Sequence, residues 1–299
     1  MTLPALVWLL LATIWGSTWL FIKVGLQDLP PFWFAAIRFV VAAIPLVAWL
    51  VVRRRPLRHA ADDWRLMIIT GLLTFTVNYA LVFWGELHVS AGLAALIYTT
   101  FPMLGMLQAH WLLPSEPLTR RKAGGAALAL LGVAVIFHDQ IDLRGTMALV
   151  GSVAILVAAT GTAYADVLIK QKGVHIDPVT MTAVQMVAGV IPLLGLAFAV
   201  EGNPLAIVWT RRAVTALLYL ALVGSSLTFV LLYWLIQRMQ VTRAMLIPLL
   251  STVIAVTLDA IVLGERLPLR TFAGGTGVLA GLVIALWVPR PPVGHRGGR

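Results

Sequence analysis

Long apolar stretches recur along the chain, and short polar stretches separate them. A helix that crosses a bilayer needs roughly 20 mostly apolar residues. Ten segments fit this requirement, so the pattern predicts an all-α polytopic membrane protein with ten transmembrane helices. These predicted helices cover residues 4–22, 32–52, 66–85, 91–113, 123–137, 146–168, 179–200, 213–236, 243–263 and 273–288. Because the connections between them are short, we expect no soluble domain.

The first segment begins at Pro4 and contains the stretch 13-TIWGSTWLFIKVG-25. A secretory signal peptide would carry a basic region before its apolar core and a small-residue cleavage site after it. Residues 1–3 hold no Lys or Arg, the apolar run continues to Ile22, and no clear cleavage site follows. We therefore predict that this segment is retained as the first transmembrane helix.

Composition agrees with a chain that lies in a bilayer. Of its 299 residues 60% are hydrophobic and 11% are charged, whereas about 25% of the residues in a soluble globular protein are charged. Cysteine is absent, which excludes disulfides, thiolate nucleophiles and cysteine metal sites.

The distribution of positive charge predicts the orientation in the membrane. With the N-terminus in the cytoplasm, fifteen of the 22 Lys and Arg residues lie in cytoplasmic stretches, six lie on the opposite side, and Arg38 lies within a segment. Cytoplasmic loops of membrane proteins carry an excess of Lys and Arg. The net charge of +10 therefore indicates orientation rather than nucleic-acid binding, with both termini cytoplasmic.

An internal repeat divides the chain into two halves. The stretch 116-EPLTRRKAGGAALALLG-132 returns as 265-ERLPLRTFAGGTGVLAG-281, at a shift of 149 residues. Proline, aromatic and glycine pairs follow at shifts between 145 and 150, in the same order along the chain. We therefore predict one five-helix repeat in residues 1–144 and a second in residues 145–288, followed by a disordered cytoplasmic tail in residues 289–299.

An odd number of helices in each half has a topological consequence. The second half must enter the membrane from the opposite face, so the two repeats are inverted with respect to each other. Many secondary transporters are built in this way and hold their substrate near the bilayer midplane between the repeats. Alternating access is the expected mechanism for such a chain.

Several short motifs resemble one transporter family. They are Trp15-Gly16-Ser17 in the first segment, Arg38 within 35-AAIRF-39, Pro102 ahead of Glu116, and 264-GER-266 after the ninth segment. Together with the helix count and the duplication, they resemble the EamA-type branch of the drug/metabolite transporter superfamily. The resemblance covers about residues 4–288.

The resemblance implies a function and a location. It implies a multi-pass transporter of the bacterial inner membrane that exports amino acids or similar small metabolites, and it is most like the aromatic or broad-range amino acid exporters. Exporters of other metabolites or of cationic drugs are the alternative. Two departures from the duplication stand out, because Arg38 has Gln185 as its repeat partner and Pro248 lies further from Glu265 than Pro102 lies from Glu116.

Polar and aromatic residues of the first half are candidates for a central cavity. Thr70, Thr74 and Asn78 are spaced by four residues and so form one polar stripe on a helix. Such groups bind either neighbouring helices or a polar substrate. The candidates from this half for substrate binding are Trp15, Thr74, Asn78, Tyr79 and Tyr98. Simple packing is the alternative for each of the aromatics.

The second half supplies further candidates through the repeat. Tyr164 aligns with Trp19, and Thr228 and Phe229 align with Asn78 and Tyr79. We expect Tyr164, Thr228 and Phe229 to enclose the substrate from the other side, with packing again as the alternative. Candidate hinge or gating residues are Gly16, Pro102 and Pro248, because glycine permits close approach and proline removes a helical hydrogen bond. Trp19 is expected in lipid or in the interfacial belt.

Charged residues inside the segments are costly and point to function. Arg38 binds a substrate carboxylate or acts as a structural clamp with Glu86 or with helix-end carbonyls, and the clamp is favoured. The remaining ionisable residues are expected in plainer roles: Asp166 and Asp259 near an interface, His110 in packing, Glu116 and Glu265 as helix caps or arginine partners, and Lys23 at the outer surface.

Other function classes fit the chain less well. A membrane enzyme would cluster catalytic groups near one face, but the histidines are scattered and no H-E-x-x-H pattern is present. No stretch resembles a channel selectivity filter. The first segment lacks a carboxylate, which disfavours the proton-coupled cation efflux of the small multidrug branch. We expect no cofactor and no metal, a small-molecule substrate, the lipid bilayer as surroundings, no nucleic acid, and a monomer.

Overall fold

The computed structural model of the chain describes residues 2–55, 59–89, 91–138, 145–263 and 269–286. Apart from short loops, these residues are helical and contain no strand. The α-helices are α1 (Leu3–Gly25), α2 (Pro31–Val52), α3 (Ala61–Gly71), α4 (Asn78–Glu86), α5 (Ala91–Tyr98), α6 (Phe101–Leu112), α7 (Arg120–Ile136), α8 (Thr146–Lys172), α9 (Pro178–Glu201), α10 (Arg211–Leu218), α11 (Thr228–Arg238), α12 (Val241–Ala244), α13 (Ile247–Leu263) and α14 (Leu269–Leu286). The prediction of an all-helical chain is therefore confirmed.

Among the described residues, eight helical stretches are long and apolar enough to cross a membrane. They are Leu3–Gly25, Pro31–Val52, Ala61–Glu86, Thr146–Lys172, Pro178–Glu201, Arg211–Arg238, Val241–Leu258 and Leu269–Leu286. The predicted fourth segment is divided between α5 and α6, and the predicted fifth corresponds to α7 of 17 residues. The count of ten transmembrane helices and the cytoplasmic position of both termini remain predictions.

Two prolines lie directly after breaks in a helical segment. Pro102 is the second residue of α6, and α5 ends at Tyr98. Pro248 is the second residue of α13, and α12 ends at Ala244. A proline in the first turn of a helix is tolerated because the amide hydrogen that it lacks has no intrahelical partner there. Both prolines therefore begin a new helix rather than kink a continuous one.

Two other helices contain a wide turn of π-helix. Leu72–Val77 joins α3 to α4, and Tyr219–Leu227 joins α10 to α11. Ser225 and Ser226 follow the wider spacing, since their hydroxyls donate to the carbonyls of Leu220 and Ala221, five residues earlier. Such π-helical turns are rare and often lie at functional sites.

Glycines bring α7 and α14 into backbone contact. A Cβ added to Gly125 would lie 2.6 Å from the carbonyl oxygen of Gly281, and a Cβ added to Gly132 would lie 2.5 Å from that of Gly274. Small residues permit this close approach between membrane helices, where van der Waals packing provides much of the association energy. The glycine-rich fifth and tenth segments thus form a tightly packed pair.

Glu201, at the end of α9, fixes the start of α2. Its carboxylate oxygens accept hydrogen bonds from the backbone amides of Phe32 at 2.8 Å and Trp33 at 2.7 Å. The amides of the first helical turn have no intrahelical partner, and the helix dipole favours negative charge there. This contact ties the two predicted repeats together at one end of the bundle.

The same end carries an exposed ion pair outside the apolar segments. Asp28, in the loop between α1 and α2, accepts from Arg212 Nη2 at 2.8 Å and from the Thr210 hydroxyl at 2.6 Å. Hydrogen bonding to Arg212, followed by that to Thr210, holds the pKa of the Asp28 carboxyl below its ordinary value. The loop is therefore tethered to the start of α10.

Candidate functional site

A cavity of about 270 Å³ lies between the two predicted repeats. Its walls come from α1, α2, α4 and α5 on one side and from α8, α11 and α13 on the other, with Thr74 of the π-helical turn between α3 and α4. The lining reaches Leu26 and Glu86, at the ends of α1 and α4. A cavity of this kind, mostly apolar with a few polar groups, is typical of small-molecule sites.

At the opposite end of the bundle, hydrogen bonds hold the helices together. The indole nitrogen of Trp8 donates to the carbonyl of Arg243 at 2.9 Å, which joins the first predicted repeat to the second. Within the second predicted repeat, Lys170 Nζ donates to the carbonyls of Ile236 and Met239 at 2.7 and 2.8 Å. These contacts lie below the cavity and connect α1 and α8 to α11 and α12. The cavity lining instead extends toward the other end of the bundle, at Leu26 and Glu86.

Glu116 strengthens this closed end. Its carboxylate is buried and accepts from the backbone amides of Val241 at 2.8 Å and Thr242 at 3.0 Å, and from the Thr242 hydroxyl at 2.8 Å. Hydrogen bonds to an ionised group are stronger than those between neutral groups. Glu116 thus caps α12 as the sequence suggested, whereas Glu265 lies outside the described residues.

Most of the predicted substrate-binding residues line the cavity. They are Trp15, Thr74, Asn78, Tyr79, Tyr98 and Phe229, and the predicted hinge residue Pro248 joins them. Tyr164 and Thr228 do not belong to the lining. The Tyr164 side chain is 40% exposed on the outer surface of α8, and Thr228 is buried, with its hydroxyl donating to the carbonyl of Ser225.

The two remaining hinge candidates also lie outside the cavity lining. Gly16 faces α13, where an added Cβ would approach Ile254 to 2.6 Å and the carbonyl oxygen of Ser251 to 3.0 Å. Pro102 is buried in the first turn of α6. Trp19, expected in lipid or in the interfacial belt, is 47% exposed and also belongs to the cavity lining.

Aromatic rings form much of the cavity wall. Trp15 contacts Phe229 edge-on at 6.1 Å between ring centroids, and Phe229 also contacts the buried Phe75 at 4.8 Å. Tyr79 lies edge-on to Phe39 at 4.8 Å and to Phe83 at 5.8 Å. Such aromatic pairs stabilise the arrangement of the rings by more than their buried area alone would. The wall offers a rigid apolar surface to a ligand side chain.

Three polar groups of the first half face this apolar wall. The Tyr98 hydroxyl donates to Asn78 Oδ1 at 3.0 Å. The Thr74 hydroxyl is buried and has no hydrogen-bond partner within the described residues. Thr70, at the start of the predicted polar stripe, instead accepts a hydrogen bond from Gln185 at 2.6 Å. The stripe therefore divides into a structural part at Thr70 and a part that faces the cavity.

Arg38 supplies a buried positive charge to the cavity. Its side chain is 6% exposed, Nε donates to Ser225 Oγ at 2.8 Å, and Nη2 donates to the carbonyl of Gly224 at 3.3 Å. Both partners belong to the π-helical turn between α10 and α11 rather than to Glu86. The clamp on a carbonyl is present, and Arg38 also belongs to the cavity lining.

Two carboxylates, those of Asp166 and Glu86, line the cavity. The sequence analysis predicted neither of them at a substrate cavity. Asp166 is 6% exposed and faces the cavity from α8, not from an interface as predicted. Glu86 lines it at the end of α4. The side chain of Asp259 lies outside the described ones. His110 is exposed in the last turn of α6, where its Nδ1 accepts from the amide of Leu118.

Comparison with known proteins places the chain among transporters. It is 29% identical over 269 residues to "Uncharacterized transporter YoaV" of Bacillus subtilis, which covers 90% of this chain and 91% of the relative. It is 29% identical over 284 residues to a "Probable amino-acid metabolite efflux pump" of Salmonella typhimurium, which covers 92% of each, and 26% identical over the same length to a protein of that name from Escherichia coli.

A solved crystal structure shares the fold. It superposes with a TM-score of 0.80 at 17% sequence identity and covers 95% of this chain and 96% of the other. The model of the EamA-like transporter family matches residues 2–138 and 149–287. The predicted family is confirmed by this match, which spans most of the chain. The chain is a multi-pass transporter of the plasma membrane, and it belongs to the EamA-like transporter family.

Proposed function

We propose that the protein exports amino acids, aromatic or over a broad range, and similar small metabolites. One observation carries this proposal: a single cavity joins a rigid aromatic wall to a buried guanidinium, that of Arg38, and to the polar pair of Tyr98 and Asn78. The guanidinium suits a substrate carboxylate, and the rings suit an apolar side chain. The names of two relatives, probable amino-acid metabolite efflux pumps, support both the substrate class and the direction.

The proposed mechanism is alternating access between two inverted five-helix repeats, within residues 1–144 and 145–288. The family model matches the chain in two stretches of similar length, which supports the duplication. The π-helical turns support it too, because Leu72 and Tyr219 begin them 147 residues apart. With ten helices and both termini in the cytoplasm, the cavity would communicate with the outside.

Closing the outer end and opening the inner end would complete the cycle. The contacts of Trp8 with Arg243 and of Glu116 with Val241 join the two repeats and form the inner closure that must break. Gly16, Pro102 and Pro248 are the proposed hinges, since the first permits close sliding of α1 on α13 and the prolines begin new helices. The proposal assigns gating to these positions and substrate binding to the cavity lining.

Counterflow in proteoliposomes tests the proposed function. Purified protein is reconstituted, vesicles are loaded in turn with phenylalanine, threonine, methionine, lysine or glutamate, and uptake of the labelled amino acid is followed with and without a proton gradient. We expect saturable exchange, strongest for the amino acids with apolar side chains. Protein-free vesicles provide the control for leak.

The possible outcomes separate the transporter classes. Non-saturable flux through the reconstituted protein would indicate a channel and contradict alternating access. A flat response to the whole panel would remove amino acids from the proposal and direct the same assay to cationic drugs and other metabolites. Exchange that ignores the gradient would indicate facilitated diffusion, whereas stimulation by it would indicate proton coupling.

A further inference from the structure

Asp166 is a buried carboxylate without a partner. Its side chain is 6% exposed, it lines the cavity, and no hydrogen bond or ion pair joins it to another of the described residues. Tyr98 and Tyr233 are close enough to interact electrostatically with it. Both are neutral phenols at physiological pH, so neither compensates a negative charge.

The nearby cations are engaged elsewhere. Lys170, one turn further along α8, donates to the carbonyls of Ile236 and Met239 at the closed end. Arg38 of α2 donates to Ser225 and Gly224 in the π-helical turn between α10 and α11. The guanidinium of Arg38 therefore does not neutralise the Asp166 carboxylate by direct contact, and the other lining carboxylate, Glu86, carries the same sign of charge as Asp166.

An isolated buried carboxylate is expensive in a membrane protein. Removing an ionised group from water is unfavourable unless a charge of opposite sign compensates it. Intramembrane carboxylates accordingly face the bundle interior or a water-filled cavity, and they mark substrate and ion pathways. The lining position of Asp166 means that the compensating charge can arrive with a ligand.

We propose that Asp166 binds the ammonium group of the substrate. This rests on the proposed function and deepens it, because it restricts the substrate class to compounds that carry a primary amine. An ammonium group donates three hydrogen bonds. The carboxylate of Asp166 accepts from it, and the neighbouring Tyr98 hydroxyl, which donates to Asn78, has lone pairs left to accept a second bond.

Other parts of the cavity are then available to bind the remaining groups of the substrate. Thr162 lies one helical turn before Asp166 on α8 and also lines the cavity, so the two side chains form one polar strip. The aromatic wall of Trp15 and Phe229 receives the apolar part of the substrate. Arg38 provides the complementary charge for a carboxylate where the substrate has one.

Binding of four related compounds to the purified protein tests the inference. Phenylalanine carries both charged groups, phenethylamine carries the ammonium alone, 3-phenylpropionate carries the carboxylate alone, and 2-phenylethanol carries neither. Quenching of tryptophan fluorescence reports occupancy, since Trp15 and Trp19 line the cavity. For the wild-type protein we expect phenethylamine to bind at least tenfold more tightly than 2-phenylethanol. Equal affinities for those two compounds would overturn the proposal without any variant.

The variant Asp166→Asn then assigns the effect to one residue. We expect it to lose at least tenfold in affinity for phenylalanine and phenethylamine, and to bind 3-phenylpropionate as well as the wild type does. Asp62→Asn removes an exposed carboxylate far from the lining and is the matched control. An equal loss for all three compounds, or no loss for the amines, would contradict the assignment.

Two further measurements keep the test decisive. If Asp166→Asn does not give a monodisperse protein, Asp166→Ala removes the same charge and is expected to lose the preference for phenethylamine over 2-phenylethanol, and a retained preference would overturn the assignment. A wild-type protein that binds phenethylamine but exchanges no amino acid would remove the proposed function and leave the ammonium site. The two ideas therefore fail in different experiments.

Discussion

The Tyr98 hydroxyl donates a hydrogen bond of 3.0 Å to Asn78 Oδ1, joining α5 to the start of α4 at the cavity wall. The two residues are 20 positions apart, and the break before Pro102 places Tyr98 at the end of its helix. A phenol in this position both orients the Asn78 amide and presents a polar edge to the cavity.

Tyr98→Phe keeps the ring and removes the hydrogen bond. One such bond contributes about 0.5–1.5 kcal/mol, so we expect KM in the counterflow assay to rise about fivefold. Tyr164→Phe makes the same chemical change on the exposed face of α8 and is expected to leave KM unchanged. Equal effects of the two variants would remove Tyr98 from the site.

Arg38 offers a test of carboxylate recognition. Arg38→Lys keeps the charge and loses the planar fork, and the two groups are not interchangeable at such sites. We expect about a tenfold loss of affinity for phenylalanine and little change for phenylalaninamide, which lacks the carboxylate. Ser225→Ala removes the acceptor of Nε and should cost only a few-fold. Substrate-induced shifts of the melting temperature measure all these affinities.

A matched control for Arg38 exists at the chain surface. Arg53 is exposed just after α2, and Arg53→Lys is expected to bind both compounds like the wild type. If Arg38→Lys weakened the binding of the amide as much as that of the free amino acid, Arg38 would be a structural clamp alone.

The contact between α7 and α14 predicts that alanine substitutions at two glycines of α7 have opposite effects on stability. Gly132→Ala places a Cβ against the Gly274 carbonyl, and such overpacking costs about 1–3 kcal/mol. Gly124 lies on the same helix with nothing within 4 Å of an added Cβ. We expect Gly124→Ala to be neutral or to stabilise by about 0.5–1 kcal/mol. Melting temperatures in detergent report both; a stable Gly132→Ala protein would mean that the helices are not in backbone contact.

Glu116 is expected to hold closed the end of the bundle at α12, which is the inner end under the predicted orientation. Glu116→Gln replaces charge-assisted hydrogen bonds to α12 with weaker ones and leaves one amide without an oxygen acceptor. We expect the closed end to open more often. The natural chain has no cysteine, so Thr252→Cys introduces a single thiol into the cavity lining.

Labelling of that thiol measures the opening. An impermeant maleimide added to inside-out vesicles should modify it several-fold faster in the Glu116→Gln background. Glu201→Gln removes a capping carboxylate at the other end of the bundle and should not accelerate labelling from this side. Unchanged rates in the Glu116→Gln protein would show that the contact does not limit access.

The helices could be predicted from the sequence because, in a bilayer, each helix forms through hydrogen bonds within its own segment. Each membrane-crossing segment must satisfy its own backbone hydrogen bonds, so runs of apolar residues suffice to locate it. The predicted end of the sixth segment at residue 168 falls four residues before Lys172. The helical breaks before Pro102 and Pro248 follow from proline chemistry, whereas the π-helical turns have no sequence signal of their own.

The cavity was less accessible from sequence, since helix neighbours decide which side chains face it. Asp166 and Tyr164 are two residues apart on α8, yet one is buried at the cavity and the other is exposed. The repeat suggested Tyr164 through its alignment with Trp19, and nothing in the sequence distinguished Asp166 from a residue near an interface. The hydrogen-bond acceptors of Arg38 likewise lie in the second half, 186 and 187 positions away, where the sequence does not reveal them.

The glycine contacts between α7 and α14 map onto each other under the repeat. Adding 149 to Gly125 gives Gly274, and subtracting 149 from Gly281 gives Gly132, so each contact is the image of the other. An interface with this property is self-complementary, like that of a two-fold symmetric homodimer. The present protein, cut in the connection between the halves and expressed as two polypeptides, should therefore reassemble through this seam.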